Sequence, residues 1–180
     1  MKKLLLATGL VALSTINVLA DEPSFDFVEG GYADNYDADG FLLRFNATVN
    51  NDFFLAGSYE SVGENSVDLN TTVLGVGYQI ESFGNASLYT QLSYLDLEID
   101  TPFGSASEDG YQLGLGYRNQ VSKETQLYSE LNHKSIDGNG LTELAIGVRQ
   151  NFTDEFAAFV ELKADDFDND GFSIGLNYNF

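Results

Sequence analysis

Gly171-Phe172-Ser173-Ile174-Gly175-Leu176-Asn177-Tyr178-Asn179-Phe180 is the stretch that decides the fold. Phe172, Ile174, Leu176, Tyr178 and Phe180 share one parity, and Gly, Ser and Asn fill the other. A helix cannot use a period of two. A strand with one apolar and one polar environment requires it. The same alternation runs through Phe41, Leu43, Phe45, Ala47 and Val49, and again through Tyr111, Leu113, Leu115 and Tyr117. Extended along the chain, it predicts ten strands at 25–33, 40–49, 53–62, 70–80, 86–98, 110–119, 125–135, 141–150, 156–164 and 171–180. Eight is the alternative if one hairpin is over-counted. Strand five breaks the pattern: Leu88, Leu92 and Tyr94 share one parity, while Leu95, Leu97 and Ile99 take the other. A bulge near Tyr94, or a strand running on past a membrane, accounts for the switch.

An acidic or amide residue, a glycine and a large apolar residue recur at Asp39-Gly40-Phe41, Asp109-Gly110-Tyr111, Asn139-Gly140-Leu141 and Asp170-Gly171-Phe172. The spacing fits one hairpin per 30–35 residues or so. Here the glycines are expected to open strands by supplying positive φ.

Residues 1–20 have a basic start, an apolar run over residues 4–13 and Val18-Leu19-Ala20 before Asp21. They read as a secretory signal peptide, leaving 21–180 as one barrel domain. The apolar run is about half the length of a spanning helix. After the leader stand 28 acidic and six basic residues, a balance of −22, and the chain has no Cys and one His. This excludes binding nucleic acid through a basic patch, a disulfide scaffold, a thiol nucleophile and a multi-His metal centre.

Alternation leaves two orientations open, a soluble lipocalin-like barrel with its apolar residues inside or a transmembrane barrel with them outside. Four features favour outside. The apolar faces carry no Asp, Glu, Lys or Arg in their central stretch. Their aromatics gather in two belts, Tyr32, Phe41, Tyr59, Tyr94, Tyr111 and Phe172 at one rim and Phe53, Tyr78, Tyr117, Phe156, Tyr178 and Phe180 at the other. The opposite face is rich in glycine and small polar groups, which suit a narrow interior. Strands of about ten residues match a tilted bilayer crossing. The C-terminal stretch resembles the last strand of Gram-negative outer-membrane β-barrel proteins, and leader, hairpins and pattern extend that resemblance over the chain. Small porin-like or OmpX-like barrels are the nearest group. The resemblance implies an antiparallel up-and-down barrel in the outer membrane, surrounded by lipid and lipopolysaccharide. It also implies that Phe172, Ile174, Leu176, Tyr178 and Phe180 are the signal read by the barrel-assembly machinery. A monomer is expected.

Ten ionisable residues fall at lumen parity: Arg44, Arg118, Lys134, Arg149 and Lys163, with Glu29, Glu60, Glu130, Glu143 and Glu161. Buried charges need partners, so a structural ion-pair network is expected, with a narrow charge-lined passage as the functional alternative. A wide diffusion pore is excluded by length. The remaining acid is expected in the outer loops. Asp166, Asp168 and Asp170 before Gly171 match the front half of a calcium loop, as do Asp37 and Asp39 before Gly40, without its closing Glu. Turn chemistry accounts for them, and weak Ca²⁺ or Mg²⁺ binding is the alternative. No cofactor is otherwise implied. His133 and Ser135, two apart on a lipid-facing strand face, resemble the His-x-Ser of outer-membrane lipid A deacylases, but Ile136 stands where that family has Asn. The sequence therefore points to a small non-catalytic outer-membrane barrel with a structural or surface role or a narrow porin-like passage. A lipid A-modifying enzyme and a soluble binding barrel are the alternatives.

Overall fold

A computed structural model describes residues 23–35, 38–167 and 169–180; the leader and the positions of Asp37 and Asp168 lie outside the described residues. Ten strands form: β1 (Phe27–Asn35), β2 (Ala38–Thr48), β3 (Phe53–Glu64), β4 (Val67–Ser82), β5 (Ala86–Thr101), β6 (Gly104–Gln120), β7 (Thr125–Ile136), β8 (Asn139–Asn151), β9 (Phe156–Asp165) and β10 (Asp170–Asn179). Each pairs antiparallel with its sequence neighbours, and β1 closes on β10, so the sheet is an up-and-down barrel without free lateral edges. Closure satisfies the backbone groups that an open sheet would leave unpaired. The described residues begin and end at the same end of the barrel, where the Phe180 N–H donates to the Asp26 carbonyl oxygen at 3.3 Å; this is the termini end, and the opposite end is the loop end.

The apolar stripes face outward. Leu113, Leu115, Ile174 and Leu176 are each about half exposed or more, while Arg149 is 5% exposed and Glu29 fully buried. A soluble barrel has the reverse arrangement. The two aromatic belts are present, with cross-strand contacts Tyr32–Phe172 and Phe41–Tyr59 in one and Phe53–Tyr78 and Phe156–Tyr178 in the other, at 5.0–5.8 Å between ring centres. Such pairs add to the burial energy of the rings.

Three expectations are corrected. First, β4, β5 and β6 have 16, 16 and 17 residues and outrun the ten-residue estimate. Their pairing is continuous past Tyr94, so no bulge causes the parity switch. The register shift lies between Gln79 and Glu81, at the other end of β4. Leu95 and Leu97 instead face the lumen where β5 has passed the tyrosine belt, and Asp96, Glu98 and Asp100 take the outward positions. The strand keeps its pleat while its outward side chains change from apolar to acidic.

Second, Gly40, Gly110, Gly140 and Gly171 do not supply positive φ; among the described glycines Gly84, Gly104 and Gly138 do. Two of the tight reversals at the loop end are made by Asn65-Ser66 and Asp137-Gly138, each with two residues at positive φ, the pattern that suits right-handed strand twist; at the third, Pro102-Phe103, the positive φ falls on Gly104 just after the turn. Gly40, Gly110 and Gly171 meet a different demand. A Cβ at Gly40 would lie 1.9 Å from the Ser61 carbonyl oxygen, one at Gly110 2.0 Å from that of Ser135, and one at Gly171 1.9 Å from Asn35 Oδ1. These glycines let neighbouring strands approach closely.

Third, most of the acid expected in loops stands on strand ends: Asp34, Asp39, Glu64, Asp68, Asp100, Glu108, Asp109 and Asp170 all belong to strands.

Candidate functional site

The lumen is organised by cross-strand register. Phe54 pairs with Gly77, Tyr89 with Gly116, Tyr128 with Gly147 and Phe159 with Gly175. Each ring occupies the space that a side chain on its glycine would need, with ideal Cβ positions 2.0–2.8 Å from ring atoms. A bulky side chain inside a narrow barrel requires an empty position beside it, and the glycine of the adjoining strand supplies one. The rings of Phe54, Tyr89 and Tyr128 enter from β3, β5 and β7 near the termini end, and Phe27 enters from β1; together they fill that half of the lumen. Phe159 on β9 packs instead with Ala33, Leu42 and Val62 in a second apolar cluster on the β1–β3 side.

Phe25, just before β1, completes the seal. Its ring centre is 4.5 Å from that of Phe54 and 5.2 Å from that of Tyr89. The Arg118 guanidinium lies 4.2 Å over Phe25, 5.1 Å from Phe27 and 4.9 Å from Tyr89, and Nη1 donates to the Ser24 carbonyl oxygen at 3.2 Å. Arg149 is 4.4 Å from the Phe27 ring centre and 4.2 Å from that of Tyr128. Guanidinium planes stack on aromatic faces with little desolvation penalty, so two arginines pack among rings where two lysines would not.

Above this layer lie the ion pairs. Arg44 on β2 makes two hydrogen bonds to Glu161 on β9, at 2.9 and 2.8 Å, and approaches Glu29 at 3.4 Å. Arg149 on β8 donates Nε–H to Glu29 on β1 at 2.5 Å and Nη1–H to Gln126 at 2.7 Å. Lys163 on β9 reaches Glu60 on β3 at 2.6 Å, and Asn35 donates to the same carboxylate at 2.6 Å. Lys134 pairs with Glu143 on the next strand at 2.9 Å. Glu130 accepts from the Tyr89 hydroxyl. Thus Arg44, Lys134, Arg149 and Lys163 meet Glu29, Glu60, Glu143 and Glu161, while Arg118 stacks on rings and Glu130 receives a phenol. The chords from Arg44 to Glu161 and from Lys163 to Glu60 cross the lumen and draw β2–β3 toward β9.

The sequence reading passed over Phe25, Phe27, Phe54, Tyr89, Tyr128 and Phe159. A signal for most of them was present. Each odd-numbered strand carries one aromatic at lumen parity close to its start, and glycines stand at lumen parity in the following strands.

A cavity of about 270 Å³ remains beside the network. Its floor is the Phe27–Arg118 layer, and its walls include Arg44, Glu60, Gln112, Asn132, Lys134 and Leu95. The lumen side chains around its loop-end rim are half-exposed, whereas those of the floor are buried, so access is from the loop end.

Elsewhere, His133 and Ser135 do lie on the outward face. The His133 Nδ1 atom is 3.2 Å from the hydroxyl of Thr142, its cross-strand partner, and Glu143 points inward to Lys134. Asp166 stands in the turn after β9 and Asp170 opens β10. Asp165, which the calcium-loop pattern did not include, organises that turn. Its carboxylate accepts from the backbone N–H of Phe167 at 2.9 Å and of Asn169 at 3.0 Å. Among the described residues, no group of three or more His, Cys, Asp or Glu is placed to hold a metal ion.

No sequence-family model matches this chain, and no curated protein matches it in sequence. Solved structures do match in shape. The KdgM porin is similar with a TM-score of 0.52 at 14% identity, over 86% of this chain and 99% of that one. The same values hold for the KdgM porin in complex with disordered oligogalacturonate. The NanC porin gives 0.53 at 12% identity, over 86% of this chain and 99% of that one. The chain has the fold of the small outer-membrane porin-like barrels.

Proposed function

We propose that this protein is a small integral outer-membrane barrel, without catalytic activity, that acts as a closed structural element of the envelope and presents an outward-facing vestibule. The termini end faces the periplasm and the loop end faces outward, as in the superfamily it resembles. Its surroundings are lipid and lipopolysaccharide, its assembly uses the C-terminal strand ending in Phe180, and it works as a monomer. One observation carries the reading: the termini half of the lumen is filled by Phe25, Phe27, Phe54, Tyr89 and Tyr128 with two buried arginines among them. An open diffusion pore needs a continuous water path, and a packed aromatic layer removes it. The non-catalytic part is supported at His133, whose ring faces a threonine hydroxyl where a general base would need an orienting carboxylate.

Recording in planar bilayers tests the closed reading. The intact mature protein is expected to show no steady conductance. Deleting residues 21–26 removes Phe25 and the Ser24 acceptor of Arg118, and is expected to give small cation- or anion-carrying openings. Steady conductance by the intact protein overturns the closed reading and favours the narrow porin-like passage, which the likeness to porins supports as the second reading.

A further inference from the structure

The ion pairs leave one side of the lumen free of charge. Glu29, Arg44, Glu60, Glu143, Arg149, Glu161 and Lys163 stand on β1–β3, β8 and β9, and Lys134 leans to Glu143. Between them, β4 and β5 contribute only uncharged side chains to the cavity, and β6 contributes Gln112 above the stacked Arg118.

The cavity lining is graded along its depth. At the loop end it has an aliphatic collar, Leu69 on β4, Leu97 on β5, Ile136 on β7 and Leu141 on β8. Each is the lining residue nearest the loop end on its strand. Beneath the collar lie the carboxamides of Gln91, Gln112 and Asn132 on β5, β6 and β7, with Gln112 donating to Asn132 at 3.2 Å. On these strands hydrocarbon stands at the mouth and hydrogen-bonding groups below, while on β3 and β9 the lining residues nearest the loop end are the paired Glu60 and Lys163.

Size and charge narrow the occupant. An apolar cavity of about 150 Å³ accepts a benzene ring, so ~270 Å³ accepts a molecule of roughly ten non-hydrogen atoms. The lining charges are already engaged: Arg44 with Glu161, Lys134 with Glu143 and Lys163 with Glu60, while Arg118 is stacked on Phe25, Phe27 and Tyr89 in the floor and Glu130 accepts from the Tyr89 hydroxyl. A charged ligand would have to disrupt one of these contacts in a half-buried site, whereas an uncharged one leaves them intact. We propose that the vestibule is a binding site for a small uncharged molecule with a hydrocarbon body and one hydroxyl or carbonyl end. The body sits within the collar of Leu69, Leu97, Ile136 and Leu141, and the polar end reaches the carboxamides below. The inference does not depend on whether the barrel conducts.

The test uses the mature protein in lipid nanodiscs with ¹³C-labelled Leu, Val and Ile methyl groups. Benzyl alcohol is the probe, because its ring shifts the resonance of any methyl it touches. Saturable shifts are expected at Leu69, Leu97, Ile136 and Leu141. The lipid-facing methyls of Leu113, Leu115 and Leu176 should shift only in linear proportion to partitioning. Benzoate and benzylammonium, of the same size, are expected to bind at least tenfold more weakly. Leu97→Gln on β5 and Leu141→Gln on β8 should each weaken saturable binding about tenfold while keeping heat-modifiable gel mobility. Linear shifts at collar and lipid-facing methyls alike overturn the proposal. So does equal binding by the charged isosteres, which needs no variant to observe.

Discussion

Glu29 is fully buried, 2.5 Å from Arg149 Nε and 3.4 Å from Arg44 Nη1, with the Asn177 amide also donating to it at 3.4 Å. Glu29→Ala affects its two arginines differently. Arg44 keeps both hydrogen bonds to Glu161. Arg149 keeps Gln126 and the faces of Phe27 and Tyr128, which it already has, and gains nothing to replace the carboxylate. Removing one member of a buried pair costs about 3–5 kcal/mol, most of it from the charge left behind. At about 1.4 kcal/mol per factor of ten, the folded-to-unfolded ratio should fall by roughly 150- to 4,000-fold. Urea titration of protein refolded into lipid vesicles, with folded fraction read from unheated gel mobility, measures this. The paired change Glu29→Leu with Arg149→Met removes both charges and should recover most of the loss. A cost below about 1 kcal/mol for Glu29→Ala would mean that water reaches this layer and screens Arg149. The sealed interior, and with it the closed reading of the barrel, would then be refuted.

Other expectations rest on separate features. Gly116→Val puts branched atoms where the Tyr89 ring lies and should cost about 1–3 kcal/mol in the same titration; Gly84→Ser meets open space but a φ of 77°, and should cost about 1 kcal/mol through backbone strain alone. Leu115→Arg places a charge on the outward face midway between the belts and should cost about 2–4 kcal/mol; a cost near zero would argue against lipid contact there. Asp165→Ala frees two backbone N–H groups in the turn before β10 and should cost about 1 kcal/mol, with faster amide exchange at Phe167 and Asn169 as the direct readout.

The residues differ in how much of their placement was legible before any coordinates. Ile174 and Leu115 are outward, and Arg44 and Glu161 inward, because a pleated strand alternates faces and a lipid face tolerates no charge; both facts are local and can be read along a single strand. The pairing of Arg44 with Glu161, 117 positions away, is not local. Parity placed ten ionisable groups inside but gave no order among them. That order follows from which strands face each other across the lumen and at what height, which is set jointly by all ten registers at closure. Arg118 illustrates the gap. Its inward parity was readable, yet it lies against Phe25, Phe27 and Tyr89, because the stagger brings three rings to its level. Gly40 and Gly110 illustrate the opposite error, a turn signal read from a dipeptide where the sheet instead needed two backbones close together.

The sequence by itself determined the alternating strands and which face of each is apolar, because a two-residue period and the cost of charge in hydrocarbon act within one strand at a time; it left ten strands against eight open, and closure of the barrel settled ten. The tertiary structure alone decided which aromatic rests on which glycine, which cation meets which carboxylate, and where the lumen is sealed and where it stays open. Those contacts join strands far apart in the chain, and only the closed barrel fixes their relative height.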